Sequence, residues 1–265
     1  MQSFSDAPAA SCCTSSSPQQ QQYQFVFGYG SLINADSRAK TAQSLAKRDG
    51  LPVVISSLQR VWSGRMRGST AMGVRFKQGA ECTGVLVEVT KEELAGLDKR
   101  ESNYVRLQVH LDKVDKVPFL PETDFYETQQ SKGLFNAKEA QGDTVKVWVY
   151  IPEKPKPAES SHPIPQSYLD IILSGCLDIS EEFARSCIDT TAGWSNEQEV
   201  CFVDDREHPI YIRADRELSA ENAEVIDQLL GEHIPKAFQN RVKFNPETHR
   251  KAHPRPVKRK KRVPD

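Results

Sequence analysis

The chain has no apolar run long enough to cross a membrane, so no membrane-spanning helix is expected. Its N-terminus has neither a basic region nor an apolar segment, which argues against a secretory signal. Arginine is absent there too, which argues against a mitochondrial presequence. The six cysteines, at 12, 13, 82, 176, 187 and 201, include no Cys-x-x-Cys pair. The six histidines are scattered and none stands at zinc-ligand spacing from a cysteine. Buried or idle thiols of a reducing compartment, and no metal site, are therefore expected. No internal repeat is visible. The cytoplasm is the expected location, with the nucleus as an alternative.

Charge is present in both signs but is not evenly spread. Eight basic residues from Arg250 to Arg262 stand against Asp265 alone, so the net charge of −1 conceals an acidic body and a basic tail. Residues 249–265 are expected to be a disordered tail that nuclear import machinery could read. No aromatic residue interleaves the Lys258–Arg262 run, and the body lacks a basic face, so a nucleic-acid partner is not expected. Residues 1–22 are rich in Ser, Ala, Pro and Gln and are expected to be disordered.

Between the ends, strand signals come first and helix signals later, which predicts an α+β fold with a barrel-like mixed sheet. Strand character is read at 23–28, 53–55, 58–62, 69–76 and 82–89. Thr90 stands three residues before Glu93, a capping box that should start a helix running from about Lys91 to Asp98. Val105, Leu107, Val109 and Leu111 alternate with polar residues, which predicts a half-buried strand facing the core with those four. A further strand is expected at 145–151. Residues 112–143 show no convincing period and read as an excursion, and Asn34–Gly50 as one short helix. Pro152–Pro165 reads as a connector that cannot pair regularly. A helix from Ser167 should stop at Gly175. Another is capped by Ser180, and a third runs from Ser219 to Leu230 with Val225, Ile226, Leu229 and Leu230 as its apolar stripe.

Two stretches carry chemistry. Tyr23–Phe27 leads into Gly28-Tyr29-Gly30-Ser31-Leu32, which no strand or helix interior would choose. Glycine at 28 and 30 permits positive φ and a close ligand. Successive amides in such a turn can converge on an anion or an oxyanion. An ordinary turn after an edge strand has the same composition. The second stretch places Glu101 at the junction of the capped helix and the next strand. There a glutamate is either a base, if burial raises its pKa, or a solvated carboxylate beside Arg100.

Taken together, Phe27-Gly28-Tyr29-Gly30-Ser31-Leu32 and the later Leu97-Asp98-Lys99-Arg100-Glu101-Ser102-Asn103-Tyr104-Val105-Arg106 resemble the γ-glutamylcyclotransferase family. The family includes glutathione-specific ChaC-like and γ-glutamylamine branches. Val147-Trp148-Val149-Tyr150 is similar to its late strand ending in tyrosine. Pro165–Gly175 is similar to its proline-serine, tyrosine, glycine helix. The resemblance implies a small mixed β-barrel with flanking helices over residues 23–175. Residues 176–248 would then be a helical extension packed on that domain. It implies conversion of γ-glutamyl peptides or amides to 5-oxoproline, with no metal or organic cofactor. Glu101 matches the catalytic glutamate, and Tyr29, Gly30, Ser31 and Leu32 match the substrate loop. Tyr104 and Tyr150 match tyrosines lining its pocket. A catalytically silent, ligand-binding or scaffold member of the same fold is the alternative. Where smaller members have a tight connection this chain has the 112–143 excursion, which is expected to shape or cover the pocket.

Overall fold

A computed structural model describes residues 22–135, 144–194, 201–214 and 222–253. The N-terminal stretch, Cys12, Cys13, Ser219 and the Lys258–Arg262 run lie outside them. The chain begins with β1 (Tyr23–Gly28), α1 (Ala35–Ala39), α2 (Gln43–Ala46), β2 (Leu51–Met66), β3 (Ser69–Glu88), α3 (Lys91–Arg100) and β4 (Tyr104–Val109). A 3-10 turn leads to β5 (Val114–Lys116), α4 (Asp124–Ser131), β6 (Val145–Pro152), β7 (Ile164–Pro165), α5 (Gln166–Leu177), α6 (Glu181–Asp189) and β8 (Thr191–Ala192). It closes with β9 (Phe202–Asp204), α7 (Ala223–His233), α8 (Pro235–Gln239), β10 (Val242–Lys243) and α9 (Pro246–Ala252).

The main sheet is mixed, in the order β4-β6-β1-β3-β2-β5, with β8 attached to β2. It curls into a half-barrel with helices around it, so the fold is α+β. β1 lies at its centre because Phe25, Val26 and Phe27 are apolar on both faces and fully buried. It pairs antiparallel with β3 and parallel with β6. The strand signals at 53–55 and 58–62 belong to one strand, as do those at 69–76 and 82–89. A register shift between Ser56 and Leu58, where Ser57 turns to φ 62°, lies between the first two pieces, and a second follows Trp62. Such bulges bend a strand without ending it and help the sheet to curl.

Several expectations are corrected. Of the residues expected to face the core, β4 buries Val109, but Val105 and Leu107 are 45% and 38% exposed. β4 is an edge strand, and its other inward contacts come from the alternate residues. Tyr104 Oη donates to the Met72 carbonyl, and Arg106 lies over the Trp148 ring. Leu111 falls in the 3-10 turn that follows. Asn34–Gly50 holds two short helices, not one. The 112–143 excursion holds β5 and α4, with residues 136–143 outside the described region. Ile164 and Pro165 do pair, with β9, at the edge of a small second sheet where proline's missing donor costs nothing. α5 runs through Gly175, where a Cβ would sit 2.7 Å from the Asn34 backbone. That glycine serves close packing, not helix termination. α7 buries Ile226, Leu229 and Leu230 but leaves Val225 exposed. The helix capped by Ser180 forms as expected, with Ser180 Oγ accepting from the Phe183 amide. At the other end α9 carries His249, Arg250 and Lys251, so this part of the expected tail is helical.

Candidate active site

The glycine loop leaves the end of β1 and turns back on itself, with the Ile33 amide donating to the Gly30 carbonyl at 2.9 Å. Neither Gly28 nor Gly30 has a positive φ, contrary to expectation. Both are glycine for lack of room. A Cβ on Gly28 would meet Leu32 Cβ at 2.9 Å, and one on Gly30 would meet Tyr168 Oη at 3.0 Å. The loop is anchored from below by Arg60, a fully buried guanidinium whose Nε donates to the Tyr29 carbonyl at 2.8 Å. Tyr29 Oη in turn donates to the Tyr150 carbonyl across the sheet. Among the described residues, the amides of Gly30, Ser31 and Leu32 donate to no protein acceptor.

Glu101 reaches the same place from the end of α3. The capping box forms as the sequence predicts: Thr90 Oγ1 accepts from the Glu93 amide and Glu93 Oε2 from the Thr90 amide. That fixes the start of the helix, and its length then fixes Glu101 as the C-cap, at φ −93° and ψ 38°. The Glu101 amide still donates to Leu97, so the residue is held by the helix while its side chain leaves it. The side chain is 19% exposed, and that of Arg100 only 4%, so Glu101 is not a solvated surface carboxylate. Arg100 Nε lies 2.9 Å from Glu101 Oε1, an ion pair without the alignment of a hydrogen bond. The rest of that guanidinium donates to the Ser37 carbonyl, Thr41 Oγ1 and Ser31 Oγ. One arginine thus ties Glu101 to the glycine loop.

Burial pushes the Glu101 carboxyl above its ordinary range, against the pull of Arg100 and Arg213. A carboxyl so raised is a better proton acceptor than a free one and can return the proton to another group. Burial also raises the phenols of Tyr29, Tyr104, Tyr150 and Tyr168, which therefore remain neutral hydrogen-bonding groups. Tyr150 Oη donates to Asp98, on the turn of α3 before Glu101.

A small inner cavity of about 40 Å³ is lined by Tyr29, Gly30, Ser31, Leu32, Glu101, Tyr104 and Tyr150, all seven residues nominated from the sequence. It adjoins an outer cavity of about 290 Å³ that shares Ser31, Glu101, Tyr104 and Tyr168 with it. The excursion lines neither, so it does not shape the pocket with its described residues. It packs instead on β2, with which β5 pairs and where Tyr126 Oη donates to the Pro52 carbonyl.

Sequence reasoning missed the outer wall. Ile210, Tyr211, Ile212 and Arg213 line it, and Tyr211 Oη donates to Ser31 Oγ at 3.1 Å. Tyr211 also packs on the Tyr168 ring, 4.6 Å between centroids. The only signal was that Asp204–Arg213 is more chain than a compact domain needs.

A family model described as gamma-glutamyl cyclotransferase, AIG2-like, matches residues 26–170. The chain belongs to this family. The match begins in β1 and ends in α5, so it takes in the glycine loop and Glu101 and leaves out the Ile210–Arg213 wall. Membership supports a cyclotransferase-type activity, for which a small γ-glutamyl molecule is a fitting substrate. Among solved structures, the chain is similar to a gamma-glutamyl cyclotransferase at 14% identity, covering 78% of this chain and 99% of that one, with TM-score 0.46. A human protein described as uncharacterized shares 14% identity over 68% of this chain and 94% of its own, with TM-score 0.45. A yeast gamma-glutamyl cyclotransferase described as specific to glutathione shares 13% over 63% and 86%, with TM-score 0.33. A comparison with curated protein sequences finds no match. Among the described residues no helix is long and apolar enough to cross a membrane.

Proposed function

We propose that the protein converts γ-glutamyl peptides or amides to 5-oxoproline and releases the amine, with Glu101 as base and then acid. The observation that carries this reading is that the half-buried Glu101 carboxyl and the glycine loop face one cavity. The nucleophile is the substrate's own α-amine, so no serine or cysteine is needed. Glu101 takes a proton from the α-ammonium. The freed amine attacks the γ-carbonyl carbon, and the C=O electron pair moves to oxygen. Amides of Gly30–Leu32, which line the cavity and donate to no acceptor among the described residues, would hold that oxyanion or the substrate carboxylate. Glu101 delivers its proton to the departing nitrogen while the oxyanion re-forms its C=O bond and the C–N bond to the amine breaks. The carboxylate so freed takes the ring nitrogen's remaining extra proton, which the released amine finally carries as its ammonium. Atoms balance without water, metal or redox partner. Holding the γ-glutamyl chain curled in a pocket walled by Tyr29, Tyr104 and Tyr150 supplies the entropic part of the acceleration.

The test is a panel assay for 5-oxoproline release with glutathione, γ-glutamyl dipeptides and γ-glutamyl-lysine. Release from at least one is expected. No release from any by folded protein would leave a ligand-binding member of the fold. The basic tail is proposed as an address read by the import machinery and as no part of the chemistry.

A further inference from the structure

The outer cavity is built from parts of the chain that the family model does not unite. Arg65 and Met66 come from the end of β2 and Arg67 from its turn to β3, and Ile210–Arg213 from beyond α6, outside the matched residues. Its charge is one-sided. Arg65, Arg67, Arg100 and Arg213 line it, with Glu101 as the single carboxylate. Two of these cations are already spent, Arg100 on Glu101 and Arg65 on Glu159 at 2.9 Å. Arg67 and Arg213 have no carboxylate within ion-pair distance among the described residues. Arg67 donates to the His253 carbonyl from one nitrogen, and Arg213 is held through its own carbonyl by Lys40 Nζ, which leaves guanidinium donors over in each.

The placement of these cations bears on which half of a substrate meets them. If the γ-glutamyl group occupies the inner cavity, the scissile nitrogen lies near Glu101, and whatever departs extends into the outer one. Resting on the cyclotransferase reading above, we infer that Arg67 and Arg213 form a carboxylate-binding subsite for the departing half. The preferred substrates are then γ-glutamyl amino acids or peptides whose leaving amine carries an anion. γ-Glutamyl derivatives of neutral alkylamines bind less well, and those of diamines worst, because a second ammonium would face two guanidinium groups that hold no ion pair among the described residues. Met66, Ile210 and Ile212 offer apolar surface beside the cations, suited to an amino-acid side chain.

The experiment compares three substrates of similar size: γ-glutamylglycine, γ-glutamylethylamide and the γ-glutamyl amide of ethylenediamine. A charge-assisted hydrogen bond in a partly exposed site corresponds to about a tenfold effect. The wild type should show KM lowest for γ-glutamylglycine by about that factor. Arg213→Gln and Arg67→Gln should each raise that KM about tenfold and change the KM for γ-glutamylethylamide less than about twofold. Arg213→Lys should restore part of the loss. A merely structural arginine would move all three substrates together. Equal KM values across the panel, with 5-oxoproline released from each, would overturn the subsite and leave the cyclotransferase reading intact. Release from none would overturn both. Arg67 is exposed, so its variant should fold even if the Arg213 variant does not, and an unselective loss in it would also count against the subsite.

Discussion

The glycine loop walls the inner cavity and the Ile210–Arg213 segment the outer one, and they meet at Ser31, yet they are fixed by different means. The loop grows from a central strand with neighbours on both sides, and a buried arginine grips its backbone. The segment has no ladder of its own and hangs on a few side chains. Asp205 accepts from the Ser167 amide at 2.7 Å, from Ser167 Oγ at 2.6 Å and from the Ile210 amide at 2.7 Å. Next to it, Arg206 bridges Asp170 and Asp227, and Arg241 joins Asp227 from the other side. Tyr211 makes the single hydrogen bond from the segment to the loop. A ladder shares a perturbation over many bonds, whereas a segment held by anchors is lost when one anchor goes. The proton-transfer side of the cavity is therefore rigid by construction, and the side that meets the departing group is separately adjustable.

The largest break in this comparison should come from the rigid side. Glu101→Gln keeps the shape but cannot accept the ammonium proton, and loss of a general acid/base costs about 10²–10⁴-fold in kcat. Glu93→Gln should cost little turnover, because glutamine can still cap. Purified variants at saturating substrate, with circular dichroism as the folding check, make the comparison; near-normal turnover in folded Glu101→Gln would remove the mechanism.

Next in size is the anchor. Asp205→Ala leaves the buried Ser167 amide and hydroxyl and the half-buried Ile210 amide without an acceptor, which should cost about 2–4 kcal/mol in urea unfolding. It should also raise KM more than it lowers kcat, since the wall loosens while Glu101 stays in place. A kcat loss as deep as that of Glu101→Gln would mean the two sides are not separable. Tyr211→Phe removes only the bond to Ser31 and should cost about 1 kcal/mol or less, read as a several-fold rise in KM.

A smaller effect concerns stability and has the opposite sign to activity. Because burial raises the folded-state pKa of Glu101 above its unfolded value, its contribution is present below the unfolded pKa, near 4.3. It is lost as pH rises through the folded value. Wild type should therefore lose ground to Glu101→Gln on going from pH 4 to pH 7, read as a Tm difference that shifts in the variant's favour. A Tm advantage of wild type that grows over that interval would contradict the sign. The smallest effect on catalysis should come from deleting Val257–Asp265, which should redirect the protein in cells while leaving turnover in solution unchanged.

Much of the rigid side was legible in the sequence. The capping box at Thr90 and Glu93, the helix it starts and the junction glutamate depend on local hydrogen bonding, which neighbouring residues decide among themselves. The glycine loop was visible because its composition suits no regular element. Its reason was not visible: Gly28 and Gly30 make room for Leu32 and Tyr168, and Tyr168 lies far along the chain. The inward face of β4 was misread for a related reason. Alternation predicts that one face is buried, but which face an edge strand presents is settled by what packs beside it, here Met72 and Trp148.

What the sequence by itself determined, then, is the set of local elements and the two motifs that meet at Glu101, because these rest on contacts between near neighbours. Only the tertiary structure decided the other wall. Tyr211 reaches Ser31, and Arg213 the outer cavity, through a buried aspartate, a four-membered ion network and a short parallel pairing of β9 with β7. None of those has a periodicity to read, since each joins residues whose separation in the chain bears no relation to their distance in the fold.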